Sequence, residues 1–125
     1  MKESPIFLKS FETLEWILQR TQKFPKPQRF VMAKRIEEAA LDFHDHLIGA
    51  SKAREKMPML AGADFHLERL KVYNRLAVKL KLLSFAQYEY LAKELDALGK
   101  LLGGWRRSLQ RSSVSDDGGK GAGGS

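Results

Sequence analysis

Apolar residues in this chain recur at helical spacing in four runs, and the last run is the clearest. From Ser84 to about Gln110, residues Tyr88, Leu91, Leu95, Leu98, Leu102, Trp105 and Leu109 fall at alternating steps of three and four, which sets them on one side of a helix. Ser84 followed by Gln87 reads as a capping box, the serine oxygen taking an orphan amide and the glutamine reaching back to the cap residue. Upstream, Ser4-Pro5 marks a first helix, with serine at the N-cap and proline where its missing amide costs nothing. Its apolar face is Phe7, Phe11, Leu14 and Leu18, with Leu8 and Ile17 beside them and Trp16 at the edge, and Phe24-Pro25-Lys26-Pro27 stops it. From Pro27, residues Met32, Ile36, Ala40, Phe43, Leu47 and Ala50 repeat through a long second helix ending around Arg54 to Met57. Pro58 and Gly62 interrupt the pattern, so a third helix is expected to begin between Pro58 and Asp64. It runs to about Leu83 and buries Leu67, Leu70, Tyr73, Leu76, Ala77, Leu80 and Leu83.

No strand alternation appears, and the short connections force neighbouring helices to reverse direction. The expectation is an all-α, antiparallel up-down four-helix bundle over residues 1–111. Helices of about 20 residues are roughly 30 Å long, so the bundle is a rod. From Ser112 the composition turns to serine, aspartate and glycine with one Lys120, too polar to order itself, and residues 112–125 are expected to be a disordered tail. Gly103 and Gly104 before Trp105 are costly inside a helix unless something packs against the bare backbone, which marks them as a close helix-packing site. Trp16, Phe30, Leu41, Ile48, Val72 and Tyr90 lie outside the stripes of a single bundle, an apolar excess that points to self-association or a protein partner.

Composition narrows the function. At 125 residues there is one core, and without cysteine there is neither a disulfide framework nor a thiolate metal site. No stretch is long and apolar enough to cross a membrane, and charges interrupt the N-terminal residues as they would not in a signal peptide, so the expected place is the cytoplasm with no membrane partner. A net charge of +7 and a pI near 9.8 favour polyanions such as nucleic acid. Lys71, Arg75 and Lys79, four residues apart, form a basic stripe on the third helix, with Glu68 in the same sector and Arg69 and Lys81 on the flanks. An ordinary solvated face is the simpler reading of three such charges. Arg106, Arg107 and Arg111 suit the negative end of the last helix, and that alone explains them.

Catalytic and metal chemistry is not expected. No Glu-x-x-His pair exists for a di-iron centre, and His44 and His46 point about 200° apart on a helix. Asp42 and His46 read as an ordinary i, i+4 pair, and His66 as a lone surface histidine. Nucleophile motifs, a P-loop and dinucleotide fingerprints are all missing, so no enzyme activity and no cofactor or metal are assigned.

Three stretches carry a resemblance. Phe24-Pro25-Lys26-Pro27-Gln28-Arg29-Phe30, Leu80-Lys81-Leu82-Leu83-Ser84 and Leu98-Gly99-Lys100-Leu101-Leu102-Gly103-Gly104-Trp105 resemble the four-helix-bundle proteins that include Avd, the accessory variability determinant of diversity-generating retroelements, over about residues 6 to 110. The small bundle proteins encoded in intervening sequences of 23S ribosomal RNA genes share the fold and parts of these motifs. The resemblance implies a homopentameric ring or barrel, without chemistry of its own, that binds the retroelement reverse transcriptase and RNA or DNA. The enzyme copies template RNA into mutated cDNA during mutagenic retrohoming. It also implies that Lys71 and Arg75 match a pair of basic residues, usually arginines; a lysine keeps the charge but loses the planar fork. Five copies of a +7 chain total about +35, which attracts phosphates strongly. Lys71, Arg75 and Lys79, and secondarily Arg106, Arg107 and Arg111, are therefore the candidate nucleic-acid or reverse-transcriptase contacts. Two other readings are an intervening-sequence-type RNA-associated bundle acting without a reverse transcriptase, and a plain oligomerisation scaffold.

Overall fold

The computed structural model describes residues 4–124, and the side chains of residues 4–112. Helix α1 spans Pro5–Thr21. Helix α2 is entered through a short α-helical turn at Lys26–Gln28, widens to a π-helical turn at Arg29–Ala33 and continues as Lys34–Lys52. Helices α3 and α4 span Met57–Lys79 and Phe85–Gly124. There is no strand among the described residues. Cross-helix bonds fix the arrangement: Ser10 of α1 meets His44 of α2, Asp42 of α2 meets Arg69 of α3, Asn74 of α3 meets Tyr88 of α4, and Glu94 of α4 returns to Lys9 of α1. These pairings describe an antiparallel bundle in which each helix packs on the next and α4 closes against α1. The tail expected over residues 112–125 falls, beyond its first residue, where side chains lie outside those described.

The helix ends follow local chemistry. At Ser84 the capping box is complete: the Ser84 amide donates to Gln87 Oε1 (2.9 Å) and the Gln87 amide to Ser84 Oγ (3.1 Å). Ser4 stands at the N-cap of α1, where its backbone carbonyl, not its hydroxyl, takes the Phe7 and Leu8 amides. Lys56 folds its ammonium onto the Ala50 and Ala53 carbonyls, a cation on the negative end of α2. The interruption expected between Pro58 and Gly62 does not occur, because a proline in the first turn has no intrahelical amide to lose. Helix α3 stops at Lys79, earlier than expected, and Lys81 then adopts φ 62°, the left-handed conformation that reverses the chain.

Two of the apolar stripes sit where the periodicity puts them. Met32, Ile36, Ala40, Phe43, Leu47 and Ala50 of α2 are buried, as are Leu91, Leu95, Leu98 and Leu102 of α4. Helix α1 differs. Its buried line is Ile6, Ser10, Thr13, Ile17 and Thr21, while Leu8 and Phe11 face outward and Phe7 and Leu14 are half-buried. The buried hydroxyls mislead a hydropathy reading because the bundle pairs two of them: Ser10 with His44 Nδ1 at 2.8 Å, and Thr21 as donor to the Glu37 carboxylate at 2.5 Å. Helix α3 agrees in part: Leu67, Leu70, Ala77 and Leu83 are buried as expected and Tyr73 is half-buried, but Asn74 joins the core while Leu76 and Leu80 are exposed. Trp16 is half-buried at the α1/α4 seam against Tyr90 (5.0 Å between ring centroids), with the Arg20 guanidinium over its ring at 5.2 Å.

Candidate functional site

The basic stripe of α3 borders an open groove of about 310 Å³ between α3 and α4. Glu68, Lys71, Asn74 and Arg75 line it from α3, and Tyr88, Leu95 and Asp96 from α4. Lys71 extends across the groove, its Nζ 3.7 Å from Asp96 Oδ1, and Gly99 leaves space beside it, with a Cβ there falling 3.8 Å from that Nζ. Asn74 forms the floor. It is 2% exposed, donates from Nδ2 to the Tyr88 carbonyl (3.1 Å) and keeps Oδ1 buried without a partner. The groove thus contains two cations, two carboxylates and an amide, a balanced polar surface and not a purely cationic one. Lys79, one turn beyond Arg75, is exposed outside it. Among the described residues Arg75 and Lys79 enter no ion pair, whereas Lys71 does.

The C-terminal arginines lie at the other end of the rod. Arg106 is paired across to Asp64 of α3 at 3.8 Å, while Arg107 and Arg111 are exposed. Gly103 and Gly104 make room for Arg107: the atoms nearest a Cβ built on them are its Nη1 and Nη2, at 3.2 and 3.9 Å. What lies close to this bare backbone is a guanidinium of the same helix. Trp105 packs on Phe7 of α1, ring centroids 6.0 Å apart.

A family model described as bAvd-like matches residues 6–109. The chain belongs to the bAvd-like family. No curated protein matches it significantly. The family is one of accessory, non-catalytic proteins, consistent with an Avd-like protein of a diversity-generating retroelement. The three stretches that carried the Avd resemblance occupy the α1–α2 turn, the α3–α4 turn and the distal part of α4, so two of the three sit at one end of the bundle.

A second polar cluster lies on the α2/α3 seam of this Avd-like chain. His46 Nδ1 is 2.7 Å from the Asp42 backbone carbonyl; the carbonyl can only accept, so the proton is on Nδ1. Arg69 Nη1 donates both to Asp42 Oδ2 (3.2 Å) and to His66 Nδ1 (3.0 Å), so that nitrogen is bare. The two imidazoles touch, with centroids 4.7 Å apart. The expected Asp42–His46 side-chain pair is therefore replaced by Asp42–Arg69, since the carboxylate reaches a cation on the facing helix. His66 is likewise no lone surface residue. Burial, then the neighbouring His46, holds its pKa below the ordinary 6.5, with Arg69 adding to this and Asp42 opposing it. Among the described residues no group of three or more His, Asp or Glu side chains is placed to hold a metal, and no helix is long and apolar enough to cross a membrane. Asn74 and Asp96 were not singled out from the sequence, and Tyr88 was read only as part of the apolar stripe of α4. The available signal was an asparagine at a core position of α3, between Leu70 and Ala77.

Proposed function

We propose that this chain is the non-catalytic accessory protein of a diversity-generating retroelement, binding the reverse transcriptase and its template RNA or cDNA to support mutagenic retrohoming. The observation that carries the reading is the pair of unneutralised cations, Arg75 and Lys79, beside a preformed groove on a member of the bAvd-like family. Phosphate oxygens meet those two cations, Arg75 from the groove wall, and the remaining lining of Lys71, Glu68 and Asp96 takes a protein surface, where opposite charges on both partners fix register. Arg107 and Arg111 are further phosphate contacts. Arg106 contributes less, because Asp64 already holds it.

The working unit in this proposal is a homo-oligomer, with five copies implied by the Avd resemblance. Its support is two separate apolar surfaces. One is made by Leu8 and Phe11 of α1 with Leu41 and Ile48 of α2; the other is the outward stripe of Phe65, Val72 and Leu76 on α3. Joining one to the other is a head-to-tail contact, and such contacts generate rings when the rotation closes.

The deciding experiment is cDNA synthesis on template RNA by the reverse transcriptase of the same element, with and without this chain. Dependence on the chain supports the reading, and indifference with no complex overturns it. Arg75→Ala/Lys79→Ala should leave helicity intact and flatten the dependence of log K on log salt by about one unit per lost phosphate contact. Lys71→Ala should change the slope less, since Asp96 already occupies that ammonium.

A further inference from the structure

The end of the rod formed by the α1–α2 and α3–α4 turns concentrates positive charge. Phe24 of the first turn and Leu83 of the second are both buried and line one small pocket, which places the two turns side by side. Lys23, Lys26 and Arg29 stand exposed on the first turn, Lys79 and Lys81 on or beside the second. No Asp or Glu occurs in residues 20–35 or 79–88. The first carboxylate beyond the second turn is Glu89, one helical turn after Phe85.

The same end exposes aromatic rings. Phe30 is 79% and Phe85 65% accessible, far more than Phe24, which fixes the turn from inside at 2%. The π-helical turn at Arg29–Ala33 presents Phe30 and Val31 outward directly after Arg29, and Arg29 Nε donates to the Phe24 carbonyl at 3.4 Å, tying the turn down. π-helical turns are uncommon and frequent at functional sites. On the facing turn a lysine occupies the φ 62° position, which glycine would adopt more easily, so a cation is kept there against the local backbone preference.

We infer that this end of the bundle is a platform for single-stranded nucleic acid, with Lys23, Lys26 and Lys81 at phosphates and Phe30 and Phe85 stacked on unpaired bases. Exposed rings set among uncompensated cations are what sequence-tolerant single-strand binding uses, because every base has a stacking face. A duplex keeps its bases stacked on one another and has none to offer these rings. An anionic membrane would also attract the lysines, but the rings stand at the starts of two different helices and not along one continuous apolar helix face lying in a membrane plane. The inference rests on nucleic acid being a partner of this chain, and it concerns the end of the rod, which adjoins the α3/α4 groove at Lys79 and Tyr88.

The test measures fluorescence anisotropy of the full chain with a labelled oligothymidine of about 15 nucleotides, with a hairpin duplex of similar charge, and with vesicles of phosphatidylserine and phosphatidylcholine. Phe30→Ala/Phe85→Ala should weaken oligothymidine binding about tenfold or more while barely affecting the duplex. Phe30→Trp/Phe85→Trp, which keeps the rings, should retain binding. Equal loss on both nucleic acids, or no loss on the single strand, overturns the platform. So does vesicle binding that is lost in the alanine variant while oligothymidine binding persists. A wild-type chain that binds neither nucleic acid removes the proposed nucleic-acid function and this inference together. Binding sensitive to Arg75→Ala but not to the phenylalanines leaves that function standing and removes the platform alone.

Discussion

Arg69 donates from Nη1 to both the Asp42 carboxylate and His66 Nδ1, which leaves His66 no acceptor for a second proton. The groups facing it are Asp42 and His46 from α2 and Arg69 and Phe65 from α3. Protonation would break the Arg69 bond and set a cation against a guanidinium and another imidazole. Because the folded pKa lies below the ordinary 6.5, the unfolded chain binds more protons between the two values, and stability there rises with pH. The stabilisation is fully present above about pH 6.5 and is lost as pH falls through the folded value. Thermal melts from about pH 8 to about pH 5, at fixed protein concentration, should show this loss, and His66→Gln should reduce the acid sensitivity. An unchanged pH profile in that variant would count against the assigned proton positions. Little of this was legible in the sequence: Arg69 is a local i+3 partner of His66, but Asp42 and His46 reach the site from the facing helix, and Asp42 and His46 at i, i+4 offered a side-chain pairing that α2 does not use.

At the scale of the element, α4 is both the best marked in sequence and the simplest to perturb. Its start depends on a reciprocal pair of hydrogen bonds and its hold on the bundle on Leu91, Leu95, Leu98 and Leu102. Ser84→Ala should cost about 1 kcal/mol, and Leu95→Ala, at a position with no exposure, about 2 to 5 kcal/mol. Urea unfolding of the two variants should keep that order; equal losses would mean that the cap does more than begin the helix. Helix α1 shows where periodicity stops being a guide. Phe7, Phe11, Leu14 and Leu18 form the more apolar line, yet the bundle buries the line of Ser10, Thr13 and Thr21. Small hydroxyl side chains let α1 approach its neighbours, and the facing His44 and Glu37 satisfy two of them.

For the whole molecule, the rotation of α1 adds Leu8 and Phe11 to the apolar surface that the sequence left over. Phe11 is 58% exposed, in contact with His44 at the α1/α2 face, and Leu41 and Ile48 continue that face on α2. If this face meets the Phe65, Val72 and Leu76 stripe of a second copy, a charge on it should separate the subunits. Phe11→Asp/Ile48→Asp is expected to lower the native mass to that of a single chain without loss of far-UV helicity, as read by light scattering and circular dichroism. A variant that keeps the wild-type mass rules out this face as the contact. The charge pattern is also visible only at this scale. The stripe Lys71, Arg75 and Lys79 was legible because one helix carries it, but the carboxylate opposite Lys71 comes from α4, and the basic end of the rod is assembled from two turns about 55 residues apart in a chain that an up-down topology reverses three times.

By itself the sequence determined the number and type of elements, the buried stripes of α2 and α4, the capping box at Ser84 and the membership signalled by its turn motifs. Each of these is a matter of periodicity or of a few neighbouring residues. The tertiary structure decided which face of α1 turns inward, that α3 buries Asn74 and leaves Leu76 and Leu80 outside, which cations are neutralised, that the His46 and His66 rings meet across α2 and α3, and that Phe30 and Phe85 stand at the lysine-rich end. Those outcomes depend on what the opposite helix supplies at a given height along the bundle, and pairing between helices leaves no period in the chain.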